Sequence, residues 1–212
     1  MRYLGSKIKL LGFIQRTITK YGIVGDSFCD LFAGTASVSD YFKGQYNIIA
    51  NDFMYYSYVF SKAKLLNKSK PSFERFTKKY NCDIFDWLNT QTYAPNEDFF
   101  IYNNYSPIGN RSFFTEGNAI KIDGVRFTIE NLYKKKLLTE NEYFYIKASL
   151  LDCVTRYSNT SGTYEAFFKF WDNRALKEFK IEPIEIINCQ NLRQNIVLSE
   201  ENSWNWRNLL RM

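Results

Sequence analysis

A chain of 212 residues is long enough for a substantial core and fits one domain with an inserted subdomain, and its 45% hydrophobic and 18% aromatic content excludes a disordered or low-complexity protein. Histidine is absent, which excludes Ser-His-Asp and Cys-His catalysis, H-E-x-x-H zinc sites and the usual zinc deaminase signature. The net charge of +6 agrees with a polyanionic partner without requiring one.

Residues 1–7 lack the apolar run of a signal peptide, and no later stretch approaches the roughly 18 apolar residues of a membrane span, so a soluble, cytoplasmic protein is expected. Residues 7–21 place Leu10, Leu11, Ile14 and Ile18 at helical spacing with Lys and Arg opposite, which predicts an amphipathic helix. A short buried strand is predicted over 27–32, a helix over 37–42, and a second strand over 47–50 closed by Asn51 and Asp52. Strand, tight turn, helix, strand, acidic residue is the opening of a parallel α/β sheet. Helices follow over 55–67, 72–79 and 83–88, then a polar, aromatic, Asn-rich loop over 89–111 of the kind that carries function. Thr115 caps a helix through Ala119, Ile122, Arg126, Ile129 and Tyr133 that ends in Lys134-Lys135-Lys136. Thr139 and Glu142 form a T-x-x-E capping box for another helix, to about residue 157. Residues 184–187 read as one more strand, and 193–212 show no period. Cys29, Cys82, Cys153 and Cys189 stand far apart and read as reduced, mostly buried side chains, and no metal site is expected.

In an α/β sheet, ligands bind where strand ends meet the following turns, because loop amides and helix N-termini face open space there. "DLFAGTA", residues 30–36, occupies such a place with Gly34 as its one glycine, so a pyrophosphate cradle of the G-x-G-x-x-G type is poorly supported. S-adenosylmethionine demands one close backbone approach and an acidic residue after the next strand for the ribose hydroxyls. Asp52 stands at that distance from Gly34. The other reading is a generic strand-turn-helix in which Asp52 caps a neighbouring segment.

"RYLGSK" at residues 2–7, "DLFAGTASVSDYF" at 30–42 and "NDF" at 51–53, taken in this order, resemble the Dam-like group of adenine-specific DNA methyltransferases. The resemblance extends through "NYSPIGNRSFFTEGNAIKIDGVRFTIENL" and "NTSGTYEAFFKFW", and so covers most of residues 1–185. It implies an α/β, Rossmann-like S-adenosylmethionine-dependent methyltransferase core with a largely helical target-recognition insertion. By the same resemblance, Tyr3 lies against the adenine or methionine moiety and Lys7 near its polar end, the alternative being an N-terminal arm packed on the sheet. Asp30, Phe32 and Gly34 form the turn beside the methionine portion, Asp52 takes the ribose hydroxyls and Phe53 packs on the adenine. Ala36 departs from the family, which usually has glycine there; its methyl group narrows the turn.

Methylating an adenine inside a duplex requires extruding the nucleotide while other groups read neighbouring bases and neutralise phosphates. Residues 89–145 carry Asn103, Asn104, Asn110, Arg111, Lys121 and Arg126 among Tyr102, Tyr105, Phe113 and Phe114. Asn104, Arg111 and Arg126 are the candidate contacts to double-stranded DNA, since Asn pairs bidentately with adenine and Arg with guanine. Phe113 and Phe114 read as core, and Lys134 to Lys136 as a solvated helix end favoured by the macrodipole.

The resembling enzymes depend on a D/N/S-P-P-Y/F/W tetrapeptide whose first side chain and proline carbonyl accept hydrogen bonds from the target amine. Here Pro71, Pro95, Pro107 and Pro183 are all isolated, so the tetrapeptide is absent and no catalytic residue is assigned. The expected organisation is a cofactor-binding half over 1–70, a recognition insertion over 71–145, a return to the core over 146–190 and an atypical tail over 191–212. The expected protein is the N-terminal portion of a site-specific adenine methyltransferase, shortened by a frameshift, a phase-variable switch or a split gene, inactive alone and in need of a complementary chain carrying the catalytic half. The rival readings are an inert DNA-binding or regulatory protein that keeps only the recognition surface, and a methyltransferase acting on RNA or protein.

Overall fold

The computed structural model describes residues 5–161, 166–193 and 195–197. The chain divides into a sheet unit, Gly5–Pro71 with the segment from Glu185 onward, and a helical unit, Ser72–Ile184. Of residues 146–190, expected to return to the core, 146–184 group with the helices and 185–190 with the sheet unit.

In the sheet unit a 3₁₀ turn, Ile8–Leu10, leads into α1, Leu11–Lys20. Strand β1, Ser27–Asp30, is followed by α2, Ser37–Phe42, then β2, Asn47–Ala50, and α3, Tyr55–Leu65. β1 and β2 pair in parallel from Ser27↔Asn47 to Asp30↔Ala50. The parallel arrangement requires a crossover between the strands, and α2 supplies it. Phe42, Ile48, Ala50, Leu65 and Ala33 form the core, against which Ile14 and Ile18 of α1 pack. Phe42 is fully buried and its ring stacks on Phe28 at 4.9 Å; burying one such side chain contributes about 1.5–3 kcal/mol.

The third strand, β3, is Ile196–Val197, paired in parallel with β2 at Ile49↔Ile196 and Ala50↔Val197, so β2 is central. This corrects the expected strand at 184–187. There the Ile184 amide donates to Ser149 Oγ, its carbonyl accepts from Tyr145 Oη, and the Ile187 amide donates to Asp40 Oδ2. Side chains have taken the groups a ladder would need. Asn195 then seats the chain for β3: its Oδ1 accepts from the Ile48 amide and its Nδ2 donates to the Leu65 carbonyl.

The helical unit contains α4, Glu74–Tyr80; α5, Ile84–Thr90; α6, Phe100–Tyr105; α7, Glu116–Lys134; and α8, Glu140–Val154. Asp83 caps α5, Thr115 caps α7, and Thr139 with Glu142 closes the capping box of α8, each satisfying amides that a helix start leaves without partners. Residues 89–111, expected to be irregular, contain α6 and a 3₁₀ turn at Pro107–Gly109. The order there comes from α7: Asp123, fully buried, accepts the Tyr102 amide at 2.8 Å and so caps α6 from a distance in sequence that local pattern does not reveal. Phe113 and Phe114 are buried, as expected of core residues. Of the cysteines only Cys153 is buried; Cys29 is exposed, and Cys82 and Cys189 are intermediate. Among the described residues, no helix is long and apolar enough to cross a membrane.

Gly124 on α7 marks a close approach. A Cβ there would lie 2.1 Å from Tyr93 Cγ and 2.3 Å from Cδ2. Gly124→Ala is expected to lower the stability of the helical unit by about 1–3 kcal/mol in thermal unfolding, because overpacking at the root of a ring outweighs the roughly 1 kcal/mol helix-propensity gain.

Candidate functional site

The sheet unit gathers two carboxylates at the ends of adjacent parallel strands. The Asp52 carboxylate accepts the Gly34 amide through Oδ2 at 2.8 Å and the Met54 amide through Oδ1 at 3.0 Å. Gly34 lies at φ 55° and Ala36 at φ 54°, both in the left-handed region. Glycine adopts that region freely, whereas alanine carries about 1–2 kcal/mol of local strain there. The conformation explains why glycine suits position 36, and the Ala36 methyl group is fully buried. The turn is stitched across the strand ends by Ala33 N–H to the Asn51 carbonyl, Asn51 N–H to the Asp30 carbonyl, and Ala36 N–H to the Ala33 carbonyl. Three amides of the turn, those of Ala33, Gly34 and Ala36, are therefore already engaged. That argues against a phosphate cradle, which requires amides pointing at the ligand.

Asp30 accepts a 2.6 Å hydrogen bond from Ser39 Oγ. Burial pushes its carboxyl above the usual range and the charge of Asp52 adds to this, while the Ser39 hydrogen bond opposes both. Around these groups apolar side chains stand in solvent: Phe32 is 88% exposed and Phe53 54%, with Leu31, Met54 and Tyr55 also exposed. The structure thus brings Asp30, Gly34 and Asp52 together and sets Phe32 and Phe53 on the same strand ends. Lys7 is not drawn into this cluster; it is exposed and its ammonium donates to the Gly5 carbonyl. Tyr3 lies outside the described residues. The arrangement offers carboxylate acceptors for hydroxyl groups beside exposed aromatic surface.

In the helical unit, Asn104 is exposed and its Nδ2 donates to the Phe100 carbonyl. Arg111 is exposed with its guanidinium 5.8 Å from the Tyr105 ring centroid. Arg126 is differently placed: it pairs with Asp123 at 3.2 Å and lies over the Phe127 ring at 4.7 Å. Its charge helps hold the carboxylate that caps α6, so the guanidinium read as a candidate DNA contact is partly engaged within the fold. Lys121 is also structural, donating to the Asn89 and Gln91 carbonyls, and burial pushes its ammonium pKa down. Lys134, Lys135 and Lys136 are exposed at the end of α7.

The residues that sequence reasoning did not single out are Asp123 and three asparagines. Asn89 brackets Ile181, Asn118 binds Ala175, Lys177 and Phe179, and Asn159 binds four backbone groups of residues 112–172. Their partners lie from nine to more than ninety positions away, beyond the reach of any helical or strand period, so no spacing announces them.

A model of the D12 class N6 adenine-specific DNA methyltransferases matches residues 3–203. The matched range runs past residue 190, into the stretch expected to be atypical. The chain is 56% identical over 186 residues to the modification methylase LlaI of Lactococcus lactis subsp. lactis, covering 88% of this chain and 30% of the relative. It is 38% identical over 192 residues to the type II methyltransferase M.FokI of Planomicrobium okeanokoites, covering 89% and 30%, respectively. To the type II methyltransferase M.NlaIII of Neisseria lactamica it is 33% identical over 194 residues, covering 86% and 54%. The chain therefore spans between about a third and just over half the length of these curated relatives. No solved structure matches it.

Proposed function

The chain belongs to the D12 class N6 adenine-specific DNA methyltransferase family, and from that membership we propose that it is the cofactor-binding and DNA-recognising portion of a site-specific adenine methyltransferase with a Rossmann-like core. The observation that carries the cofactor assignment is the Asp52 clasp on Gly34 at the ends of β1 and β2. Each Asp52 oxygen accepts one amide and retains a lone pair, which fits the ribose hydroxyls of S-adenosylmethionine. Phe53, exposed beside it, packs on the adenine ring; Asp30, Phe32 and Gly34 border the methionine portion, and the family resemblance assigns Lys7 to its polar end and Tyr3 to the adenine or methionine moiety. Bound S-adenosylmethionine supplies an activated methyl group on its sulfonium. The residues of this chain bind and orient it, and no side chain here accepts hydrogen bonds from the target amine in the manner of the absent tetrapeptide.

Double-stranded DNA is engaged through Asn104 and Arg111, with Arg126 acting chiefly through Asp123. Methyl transfer needs, in addition to residues 1–212, a segment bearing the tetrapeptide. Two observations support this: the greater length of the relatives, and the outer edge of β1, where Cys29 is exposed and β2 is the partner on the other side. Among the described residues β1 pairs with β2 alone, and an edge of that kind is a template for a further strand.

The test is equilibrium binding of labelled S-adenosylmethionine to the purified chain, with a methyl-transfer assay on adenine-containing duplex in parallel. Wild type is expected to bind weakly and to transfer nothing. Asp52→Ala is expected to weaken binding about tenfold or more, the equivalent of losing one charge-assisted hydrogen bond. Transfer by the chain alone, or unchanged binding by a folded Asp52→Ala protein, overturns the reading. Salt-dependent duplex binding without any cofactor binding favours the inert DNA-binding protein instead.

A further inference from the structure

The segment between Tyr105 and Phe113 is built as a rigid projection. Pro107 fixes the backbone at the start of the 3₁₀ turn. Ser106, fully buried, donates its hydroxyl to the Tyr102 carbonyl at 2.6 Å and accepts the Ile108 amide at 3.2 Å. The Ser106 carbonyl accepts the amides of both Gly109 and Arg111, and the Pro107 carbonyl accepts that of Asn110, which sits at φ 58°. Gly109 presses on the preceding helix so closely that a Cβ would come 2.5 Å from the Asn103 carbonyl oxygen. Yet on this fixed turn Ile108 is 52% exposed. Its surroundings in sequence and space are polar and cationic, with Asn104, Asn110 and Arg111 all exposed. Phe100 is also exposed, but its ring leans on Tyr105 at 5.7 Å, and Arg111 lies over the same tyrosine, so these groups form a supporting row.

A branched aliphatic held into solvent by a rigid turn, on a segment that also exposes Asn104, Asn110 and Arg111, is poorly suited to a protein partner, which favours a contiguous apolar patch. It suits a duplex. Extruding a base leaves a gap in the stack, and proteins that unstack DNA fill such gaps with an apolar wedge while neighbouring polar groups hold the backbone. Resting on the DNA-binding reading above, we propose that Ile108 enters the duplex at the step opened beside the extruded adenine, with Arg111 holding the adjacent phosphates and Asn104 facing the base edges.

A duplex with a central abasic site offers a gap already open, so a wedge appears as preference for that duplex over the intact one. The full chain is expected to bind the abasic duplex about five- to tenfold more tightly than the intact duplex of the same mixed sequence. Ile108→Ala is expected to reduce that preference to less than about twofold, and Ile108→Leu to restore it. Arg111→Ala is expected to weaken both duplexes alike and to flatten the salt dependence. Duplex binding without abasic preference, or a preference that survives Ile108→Ala, overturns the wedge and leaves the DNA reading standing. Failure of wild type to bind either duplex overturns that reading and the wedge with it.

Discussion

Lys43→Met is expected to destabilise the sheet unit by about 3–5 kcal/mol, because it strands a buried carboxylate. The Lys43 side chain is 0% exposed and that of Asp40 is 4% exposed, with the ammonium 2.7 Å from Oδ1. The ammonium also donates to the Lys64 carbonyl at 2.8 Å and the Asn67 carbonyl at 3.0 Å, which lie at the C-terminal end of α3. On its other oxygen Asp40 accepts the Ile187 amide, so one ion pair joins α2, the end of α3 and the segment leading to β3. Coulomb attraction within the pair does no more than offset the desolvation of two charges. Removing one partner, however, leaves the cost of the other uncompensated and opens two carbonyls as well. The double variant Asp40→Leu with Lys43→Met should therefore recover most of the loss, to within about 1–2 kcal/mol of wild type. Because two units make a single unfolding transition an unsafe assumption, the measurement is hydrogen exchange at the Ile48 and Asn51 amides. A loss under about 1 kcal/mol for Lys43→Met, or a double variant worse than the single, contradicts this account.

The sheet unit was largely legible in the sequence because its signals are local. A strand, a small-residue turn and a resumed helical period fixed α2 and β2 at 37–42 and 47–50, the bounds found in the structure. Caps were equally readable, since Thr115 and the Thr139–Glu142 box act within three residues of themselves. Gly34 and Asp52, eighteen residues apart, touch. Asp52 grips the turn's own amide and that of Met54, the capping role that the sequence left open beside the ligand role, since residue type gives a carboxylate's location and not the donor it chooses. β3 escaped because two residues carry no period, and its place depends on Asn195 reaching the Ile48 amide across 147 positions. The ion pair of Arg126 with Asp123 has a local signature, a basic residue three positions after an aspartate, which the sequence reading of Arg126 as a DNA contact did not weigh. Irregular segments are fixed by polar side chains whose partners are remote, and such pairs leave no trace in a one-dimensional pattern.

The second large effect falls on such a side chain. Asn159, fully buried, donates through Nδ2 to the carbonyls of Ser112, Phe168 and Phe170 at 3.0, 3.2 and 3.1 Å, and its Oδ1 accepts the Asp172 amide at 2.9 Å. Its backbone amide donates to the Phe113 carbonyl, and its own carbonyl accepts from Phe168. One residue thus ties the strandless run 168–172 to the segment that carries Arg111 and leads into α7. Asn159→Ala leaves three carbonyls and an amide without protein partners, each costing about 1–3 kcal/mol if water cannot reach it. With partial relaxation, a net loss of about 2–4 kcal/mol in the helical unit is expected. Asn159→Asp is the discriminating variant, being the same size but turning acceptors toward carbonyls. If packing volume were the cause it would be nearly neutral, whereas the hydrogen-bond account requires a loss at least as large as for alanine at neutral pH. Protection of the Phe168 and Asp172 amides against exchange should collapse in both variants, since both amides bond to Asn159 itself or to a run it holds. Retained protection in Asn159→Asp would show that shape, and not donor geometry, holds this part of the protein together.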